Sequence, residues 1–299
     1  MTSIPVIQTF GLSKHYGSIQ ALDDLNLTVH SGDIFGFLGP NGAGKTTTIR
    51  LLLDLIHPTR GRAEALGLDT RRDSLAIRRR TGYLAGDVAL YQQMTGRGLL
   101  SLLDDLRGGG LLPRGYELAE RLDLDLSPRI SSYSSGMKQK LAFIAALMPR
   151  AELLILDEPT KGLDPLVQLE VYAILKEEHE RGCTVFFSSH ILPEVERVCN
   201  RVGIVREGRL VAVEDVESIR HKRVRLLTVT FSRPVPAAAL RMEGVELRSL
   251  DGNRAHLAVH GHVPDLLRRL AELPVEDFVF PEAALEDTFM RFYSEESAQ

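Results

Sequence analysis

The sequence predicts an α/β fold organised around a largely parallel sheet. Short apolar segments alternate along the chain with segments of helical hydrophobic periodicity, and this order is typical of strands joined by crossover helices. Apolar runs over 34–38, 153–156 and 184–188 have the length of buried strands. A glycine-rich loop and then a helical pattern follow the first run, as expected at the carboxyl end of a parallel strand.

The elements before residue 220 can be placed from their patterns and from the residues that end them. His57-Pro58 ends the first helix, and three consecutive glycines at 108–110 interrupt the second helical pattern, which resumes over 116–124. The predicted elements are extended segments over 4–10 and 25–30, a strand over 34–38, helices over 46–56, 94–127 and 137–148, and strands over 153–156 and 184–188.

The composition changes near residues 215–225, where a short helical segment leads into a basic cluster. Beyond it the pattern predicts strands and helices without any further glycine-rich loop. These elements are strands over 226–231, 245–250, 255–259 and 278–280, and helices over 263–273 and 285–294. The sequence therefore predicts two domains, residues 1–220 and a small C-terminal α+β accessory domain over 221–299.

The composition narrows the partners and the cellular compartment that we expect for this protein. The 299 residues carry 36 basic and 40 acidic side chains, a net charge of −4, which argues against nucleic acid as the main partner. Cys183 and Cys199 cannot form a framework of bridges in so long a chain, so free thiols in a reducing compartment are expected. Neither a leader nor a run of about 18 apolar residues is visible, so a cytosolic protein is expected.

The glycine-rich loop after residue 38 fits the pattern G-x-x-x-x-G-K-[ST] in full. Glycines let such a loop turn tightly, so that backbone N–H groups point at phosphate oxygens, and the following helix adds its positive end. Lys45 then faces the β- and γ-phosphates, and the Thr46 hydroxyl is placed for Mg²⁺. The predicted nucleotide-binding residues are Gly39, Pro40, Asn41, Gly42, Ala43, Gly44, Lys45, Thr46 and Thr47.

An acidic pair ends the apolar strand predicted over 153–156. Asp157 at this point can hold Mg²⁺ beside the phosphate loop, directly or through water. Glu158, one residue further, can orient or deprotonate an attacking water. Solvated acids at a strand end would look the same, but beside a phosphate loop the pair predicts a catalytic Glu158 and a metal-binding Asp157.

A third motif, YSSGM over 133–137, comes directly before the helix predicted over 137–148. Serine followed by glycine at a helix start offers a hydroxyl and free N–H groups to an anion. An ordinary serine N-cap has the same sequence, so this motif indicates a phosphate contact only in the company of the other two.

Taken in order, these motifs resemble those of the ATPase subunits of ATP-binding cassette (ABC) transporters, over roughly the first 215–220 residues. GPNGAGKTT resembles the Walker A loop, YSSGM the family signature and LLILDEP the Walker B strand. GLDP over 162–165 is similar to the D-loop, and SSH over 188–190 to the segment with the switch histidine. The resemblance implies a P-loop NTPase fold with a helical subdomain over about 88–150.

The resemblance also implies roles for residues that the motifs alone leave open. Tyr16 would stack on adenine, and His190 would hydrogen-bond the γ-phosphate as a catalytic residue beside Glu158 and Lys45. Mg²⁺ would accompany the ATP, held by Thr46 and Asp157.

A head-to-tail pair of cassettes is implied as well, with two ATP molecules between the copies. Ser134 and Gly136 of one copy would contact the γ-phosphate held by the other, and Asp164 of the D-loop would lie at the same junction. The chain carries one set of motifs, so a second ABC ATPase subunit is needed, and a homodimer is the simplest arrangement.

The sequence departs from the family pattern in two places. Ser135 and Met137 replace the usual glycine and glutamine of the signature. Gly86 stands where the family has the glutamine of the Q-loop, and glycine has no side chain to contact a metal ion or water. Either Asp87 or a water takes over that role, or the loop acts only as a mechanical link.

The predicted function is an ATP-binding and ATP-hydrolysing subunit that powers export through a separate polytopic membrane permease. The subunit would lie at the cytoplasmic face of the cell membrane. The ending LEDTF over 285–289 is similar to that of subunits serving type-2 export permeases, for which drug, antibiotic or lipid-like cargo is expected. The alternative is a soluble ABC ATPase that acts on nucleic acid or ribosomes, but such proteins carry two cassettes or long coiled coils, and neither is present here.

Overall fold

The computed structural model describes residues 4–221, 225–259 and 263–280. Two compact units divide the chain between Glu214 and Asp215. The sequence predicts this boundary after residue 220, inside what the structure shows to be a helix that begins at Val216. The division between the two compact units lies a few residues before the predicted boundary.

The first unit contains the strands and helices of an α/β fold. Its strands are β1 (Pro5–Tyr16), β2 (Ile19–Leu25), β3 (Thr28–His30), β4 (Ile34–Leu38), β5 (Arg60–Ala65), β6 (Leu68–Asp69), β7 (Thr81–Leu84), β8 (Leu153–Asp157), β9 (Thr184–Ser189), β10 (Arg201–Arg206) and β11 (Arg209–Asp215). Its helices are α1 (Lys45–Leu52), α2 (Ser74–Arg80), α3 (Gly96–Leu106), α4 (Leu112–Arg121), α5 (Ser135–Leu147), α6 (Pro165–Glu180) and α7 (Leu192–Val198).

A six-stranded sheet in the order β11-β10-β4-β9-β8-β7 forms the centre of this unit. Neighbouring strands from β10 to β7 pair in parallel, which confirms the predicted α/β class. Every residue of β4, β8 and β9 is buried, as expected for parallel strands covered on both faces. Their carboxyl ends meet at one edge of the sheet, where the sequence places its phosphate and acidic motifs.

A second, antiparallel sheet packs in the same unit, with β1 paired to β2, β3 and β5. The sequence predicts one strand over 25–30, but the structure divides it, because Asp24 adopts a left-handed conformation (φ 51°) just before the chain leaves β2. The helix predicted over 46–56 likewise ends at Leu52, and a left-handed Asp54 (φ 53°) follows it. Such local backbone reversals leave little trace in a hydrophobic pattern.

Three helices, α3, α4 and α5, occupy the segment predicted as helical. Helix α4 begins at Leu112 rather than at residue 116, since Pro113 suits the first turn of a helix. Arg121 of α4 pairs with Glu170 and Glu177 of α6, with nitrogen–oxygen distances of 2.6–2.7 Å. These ion pairs fasten α4 to a helix that follows the Walker B strand.

The second unit is a four-stranded antiparallel sheet with a helix against one face. Leu227, Val229 and Phe231 of one strand form its core with Leu266 and Leu270 of the helix. The elements are α8 (Val216–His221), β12 (Arg225–Phe231), β13 (Val245–Asp251), β14 (Arg254–Val259), α9 (Val263–Ala271) and β15 (Val275–Val279), with sheet order β13-β14-β12-β15. The helix predicted over 285–294 lies outside the described residues. Among those residues, no helix combines the length and apolar character needed to cross a bilayer.

Candidate nucleotide-binding site

The phosphate loop connects β4 to α1 at the carboxyl edge of the central sheet. Gly44 closes it in a left-handed conformation (φ 104°), and a Cβ there would lie 2.8 Å from the Ala21 carbonyl oxygen and 2.6 Å from Leu22. Only glycine fits that close approach without a shift of the backbone. Helix α1 begins at the next residue, Lys45, so its free N–H groups face the loop.

Lys45 is held inside the loop. Its Nζ donates hydrogen bonds to the carbonyl oxygens of Gly39 (2.7 Å) and Pro40 (3.1 Å), and only 6% of the residue is exposed. Burial lowers the pKa of Lys45, while the nearby negative charges of Glu158 and Asp157 act in the opposite direction. A phosphate that enters the loop would meet an ammonium group that is already partly stripped of water.

Asp157, at the end of β8, is almost fully buried and accepts two hydrogen bonds. Thr46 Oγ1 donates to its Oδ2 (2.7 Å), and Ser188 Oγ on the neighbouring β9 donates to its Oδ1 (2.5 Å). The register of β8 and β9 places Asp157 opposite Ser188. The structure therefore brings together the two residues that the sequence predicts as Mg²⁺ ligands.

Glu158 leaves the strand in a left-handed conformation (φ 49°), a backbone geometry that is uncommon for a residue other than glycine. Its N–H donates to the Ser188 carbonyl oxygen (3.2 Å), and its carbonyl oxygen accepts a hydrogen bond from Gln139 Nε2 (3.1 Å). Its Oε1 lies 2.8 Å from His190 Nδ1. The two predicted catalytic side chains therefore contact each other directly.

The lysine and threonine of the phosphate loop, the acidic pair and the switch histidine line one cavity of about 450 Å³. The predicted residues Gly39, Pro40 and Ala43 are not among the residues that line it. The carbonyl oxygens of Gly39 and Pro40 accept the hydrogen bonds of Lys45, Ala43 is buried and Pro40 is exposed. The lining consists of Ala21, Asn41, Gly42, Gly44, Lys45, Thr46, Thr47, Arg50, Tyr83, Ala85, Gly86, Asp87, Asp157, Glu158, Lys161 and His190.

Tyr16 is not among the described residues that line the cavity. It ends β1 with 44% of its surface exposed, and the Lys14 ammonium lies over its ring, 5.1 Å from the centroid. The structure leaves the ring accessible without joining it to the phosphate site. Adenine stacking by Tyr16 therefore stays a prediction.

Ser134, Gly136 and Asp164 also lie outside the lining of the cavity. Ser134 caps α5 by accepting a hydrogen bond from the Met137 N–H (3.2 Å), and Asp164 caps α6 by accepting one from Val167 (3.0 Å). A Cβ at Gly136 would come within 3.0 Å of the Gly162 carbonyl oxygen, so the signature and the D-loop pack closely. Within one chain these residues act as helix caps and neighbours rather than as parts of the cavity.

The loop after β7 contains Gly86, the position where the family pattern has a glutamine. A Cβ at Gly86 would stand 3.0 Å from Asp157 Oδ2, so the backbone of the loop approaches the Asp157 carboxylate closely. Asp87 also lines the cavity, with 93% of its side chain exposed and its Oδ1 3.6 Å from Lys161 Nζ. Asp87 therefore pairs with Lys161, and a role of its carboxylate near the metal ion stays a prediction.

Comparison with known proteins identifies the family. The family model described as ABC transporter matches residues 22–161. The bacitracin transport ATP-binding protein BcrA of Bacillus licheniformis is 34% identical over 296 residues, which cover 96% of each chain. The chain belongs to the ABC transporter ATP-binding proteins. This ABC ATPase binds and hydrolyses ATP as the subunit that powers transport, as the motifs predict.

Another relative and two solved structures support the same family and fold. The daunorubicin resistance ATP-binding protein DrrA3 of Streptomyces coeruleorubidus is 39% identical over 215 residues, which are 70% of this chain and 68% of that one. A solved ATP-binding subunit of an ABC transporter has a TM-score of 0.67 and 30% identity, covering 72% of this chain and 92% of its own. A dimeric bacterial ABC transporter cassette, at 24% identity and a TM-score of 0.65, shares the fold over 70% of this chain and 98% of its own.

Two residues that hold the acidic pair of the ABC ATPase in place were not predicted from the sequence. Ser188 binds both the Asp157 carboxylate and the Glu158 backbone, and its only sequence signal is its place at the end of a buried strand, two residues before His190. Gln139 of α5 donates to the carbonyl oxygens of Glu158 and Pro159, and no local pattern distinguishes it from a surface glutamine on a helix.

Proposed function

We propose that this ABC ATPase powers export of a drug- or antibiotic-like compound through a separate membrane permease. The observation that carries the proposal is the similarity over 96% of both chains to a protein named for bacitracin transport, and daunorubicin resistance in a second relative supports it. Because the first similarity includes the second unit, it extends beyond the ATPase machinery that all cassettes share. Binding to the permease would hold the subunit at the cytoplasmic face of the cell membrane.

The donor set around Asp157 fits Mg²⁺. A threonine hydroxyl and a carboxylate are hard oxygen ligands, and Mg²⁺ completes its shell with phosphate oxygens and water. No cluster of three histidine, cysteine or acidic side chains suited to a tighter metal site occurs in the described part of the chain. When bound, Mg²⁺ would neutralise charge on the β- and γ-phosphates.

The chain's own residues then divide the work of hydrolysis. The N–H groups of the phosphate loop and the ammonium of Lys45 bind the phosphates, exchanging the Gly39 and Pro40 carbonyl contacts for phosphate oxygens. Glu158 orients the attacking water and accepts its proton. His190, already in contact with Glu158, would hold the γ-phosphate in line with that water.

A second cassette would complete each ATP site. Ser134 and Gly136 stand at the start of α5, outside the cavity of their own chain, where an N-terminal helix end can receive phosphate from a partner. Asp164 caps the neighbouring helix at the same surface. A pair of identical chains in head-to-tail arrangement would supply these groups to both sites.

An apolar groove of about 300 Å³ offers a place for the permease. Leu53, Leu55 and Leu103 line it, together with Ala145 and Met148 of the α5 segment. Such a groove suits the apolar face of a short amphipathic helix, which is a form that permease loops can present. Tyr83 of β7 lines both this groove and the nucleotide cavity, so the two sites share one side chain.

Filling the groove is expected to release the permease without stopping hydrolysis. Ala145→Trp places a large ring in the groove, so co-purification with the permease should fall at least about tenfold while basal ATPase activity of the isolated subunit stays within about twofold. Ala173→Trp, on an exposed position of α6, is the matched control and should leave both unchanged. Retained co-purification of Ala145→Trp would exclude this groove as the docking site.

The export proposal is tested with the membrane permease that co-purifies with this chain. Membrane vesicles that contain both proteins should accumulate a labelled peptide antibiotic only with ATP, and the compound should stimulate ATP hydrolysis. Stimulation by ribosomes or RNA instead, with no permease bound, would favour the alternative function.

A further inference from the structure

A second lysine faces the phosphate end of the nucleotide cavity. Lys161 lies on the loop after β8, where its N–H donates to the Glu158 carbonyl oxygen (3.1 Å), and its side chain lines the same cavity as Thr46 and His190. Lys161 belongs neither to the phosphate loop nor to the acidic pair, and it is not part of the segment with the switch histidine. Of the described residues that line the cavity, Lys45 and Lys161 are the lysines.

The two lysines are held differently. The Lys45 ammonium is bound to two backbone carbonyl oxygens inside the loop, and its residue is 6% exposed. The side chain of Lys161 is 55% exposed, and within the described part of the chain its ion pair is with the exposed carboxylate of Asp87, at 3.6 Å. An exposed pair at that distance contributes little, because water screens both charges. Lys161 can therefore leave Asp87 at small cost.

Gly86 and Asp87 line the same cavity as this lysine. Gly86 brings no side chain into the cavity, and its backbone approaches Asp157 closely. The Asp87–Lys161 pair lines the same cavity as Glu158 and His190. A nucleoside triphosphate adds several negative charges there, and the terminal phosphate attracts a lysine more strongly than a solvated carboxylate does.

We propose that Lys161 is a second phosphate-binding lysine, which Asp87 holds at the mouth of the cavity until the terminal phosphate of ATP replaces that carboxylate. Lys161 thereby contributes to the discrimination of ATP from ADP. The inference rests on the proposed site, because it requires that Lys45 and Thr46 hold the phosphates.

A charge series at position 161 tests the proposal in the full-length chain. Dissociation constants for MgATP and MgADP are measured by calorimetry for Lys161→Arg, Lys161→Met and Lys161→Glu. Loss of one charge-assisted hydrogen bond predicts that Lys161→Met weakens ATP binding about tenfold and leaves ADP binding within about twofold. Lys161→Arg should stay near the wild type, and Lys161→Glu should bind ATP more weakly than Lys161→Met.

Three control variants distinguish a role of Lys161 from a general effect of charge and from a failure of the proposed site. Lys176→Met removes an exposed lysine of α6 that does not line the cavity, and both nucleotides should bind it normally. Asp87→Asn should tighten ATP binding about twofold, because Lys161 is no longer held back. Lys45→Ala should weaken both nucleotides, and if it does not, the proposed site itself is wrong. Equal ATP-to-ADP selectivity in the wild type and Lys161→Met would overturn the inference while leaving the site intact.

Discussion

Glu158→Gln is expected to bind ATP with wild-type affinity and to hydrolyse it about 10²–10⁴ times more slowly, which is the usual contribution of general-base catalysis. Glutamine keeps the size of the side chain and a carbonyl oxygen for His190, which now lies 2.8 Å from Glu158 Oε1. The substitution therefore removes the proton acceptor without removing the contact. Single-turnover hydrolysis of radiolabelled ATP measures the rate, and calorimetry measures the affinity.

The same variant should accumulate as a pair of chains with ATP trapped between them, because the step that separates the pair is blocked. Light scattering after gel filtration with MgATP detects it, and wild-type protein under the same conditions should be mainly monomeric. Glu180→Gln changes an exposed glutamate at the end of α6 and should have normal turnover. Turnover of Glu158→Gln within about twofold of the wild type would show that another group accepts the proton.

The core of the fold could be predicted because its elements obey strong local rules. β4 is found with the predicted bounds, and β8 and β9 extend them by one residue, since uninterrupted apolar runs have few alternatives to a buried strand. The breaks after β2 and α1 were not predicted. Asp24 and Asp54 adopt left-handed conformations there, and an aspartate alone does not signal that conformation reliably.

The residues of the site likewise fall into those that could be predicted from the sequence and those that could not. Residues contributed by one continuous motif, such as Lys45 and Thr46, could be predicted because spacing along the chain fixes their geometry. Ser188 and Lys161 could not, because their contacts with Asp157 and Asp87 depend on how strands and loops distant in sequence are paired. Asp87 illustrates the same point, since the sequence left its role open and gave no sign of its contact with Lys161.

Asp157→Asn is expected to raise the Mg²⁺ concentration for half-maximal ATP hydrolysis about 10–100-fold. The carboxylate accepts hydrogen bonds from Thr46 Oγ1 and Ser188 Oγ, and an amide of the same shape keeps one acceptor but loses the charge that attracts the cation. Binding of ATP without Mg²⁺ should be retained or tightened, because one negative charge near the phosphates is gone. Titration of ATPase activity with Mg²⁺, and calorimetry in EDTA, measure the two effects separately.

Asp105→Asn serves as the matched control for this prediction, because Asp105 is an exposed residue of α3 outside the cavity lining. Its Mg²⁺ dependence should equal that of the wild type. Thermal unfolding of Asp157→Asn distinguishes a loss of metal affinity from a loss of structure, since a buried carboxylate is replaced by a group that is cheaper to desolvate. An unchanged unfolding temperature with an unchanged Mg²⁺ requirement would remove Asp157 from the metal site and leave Thr46 as its remaining protein ligand.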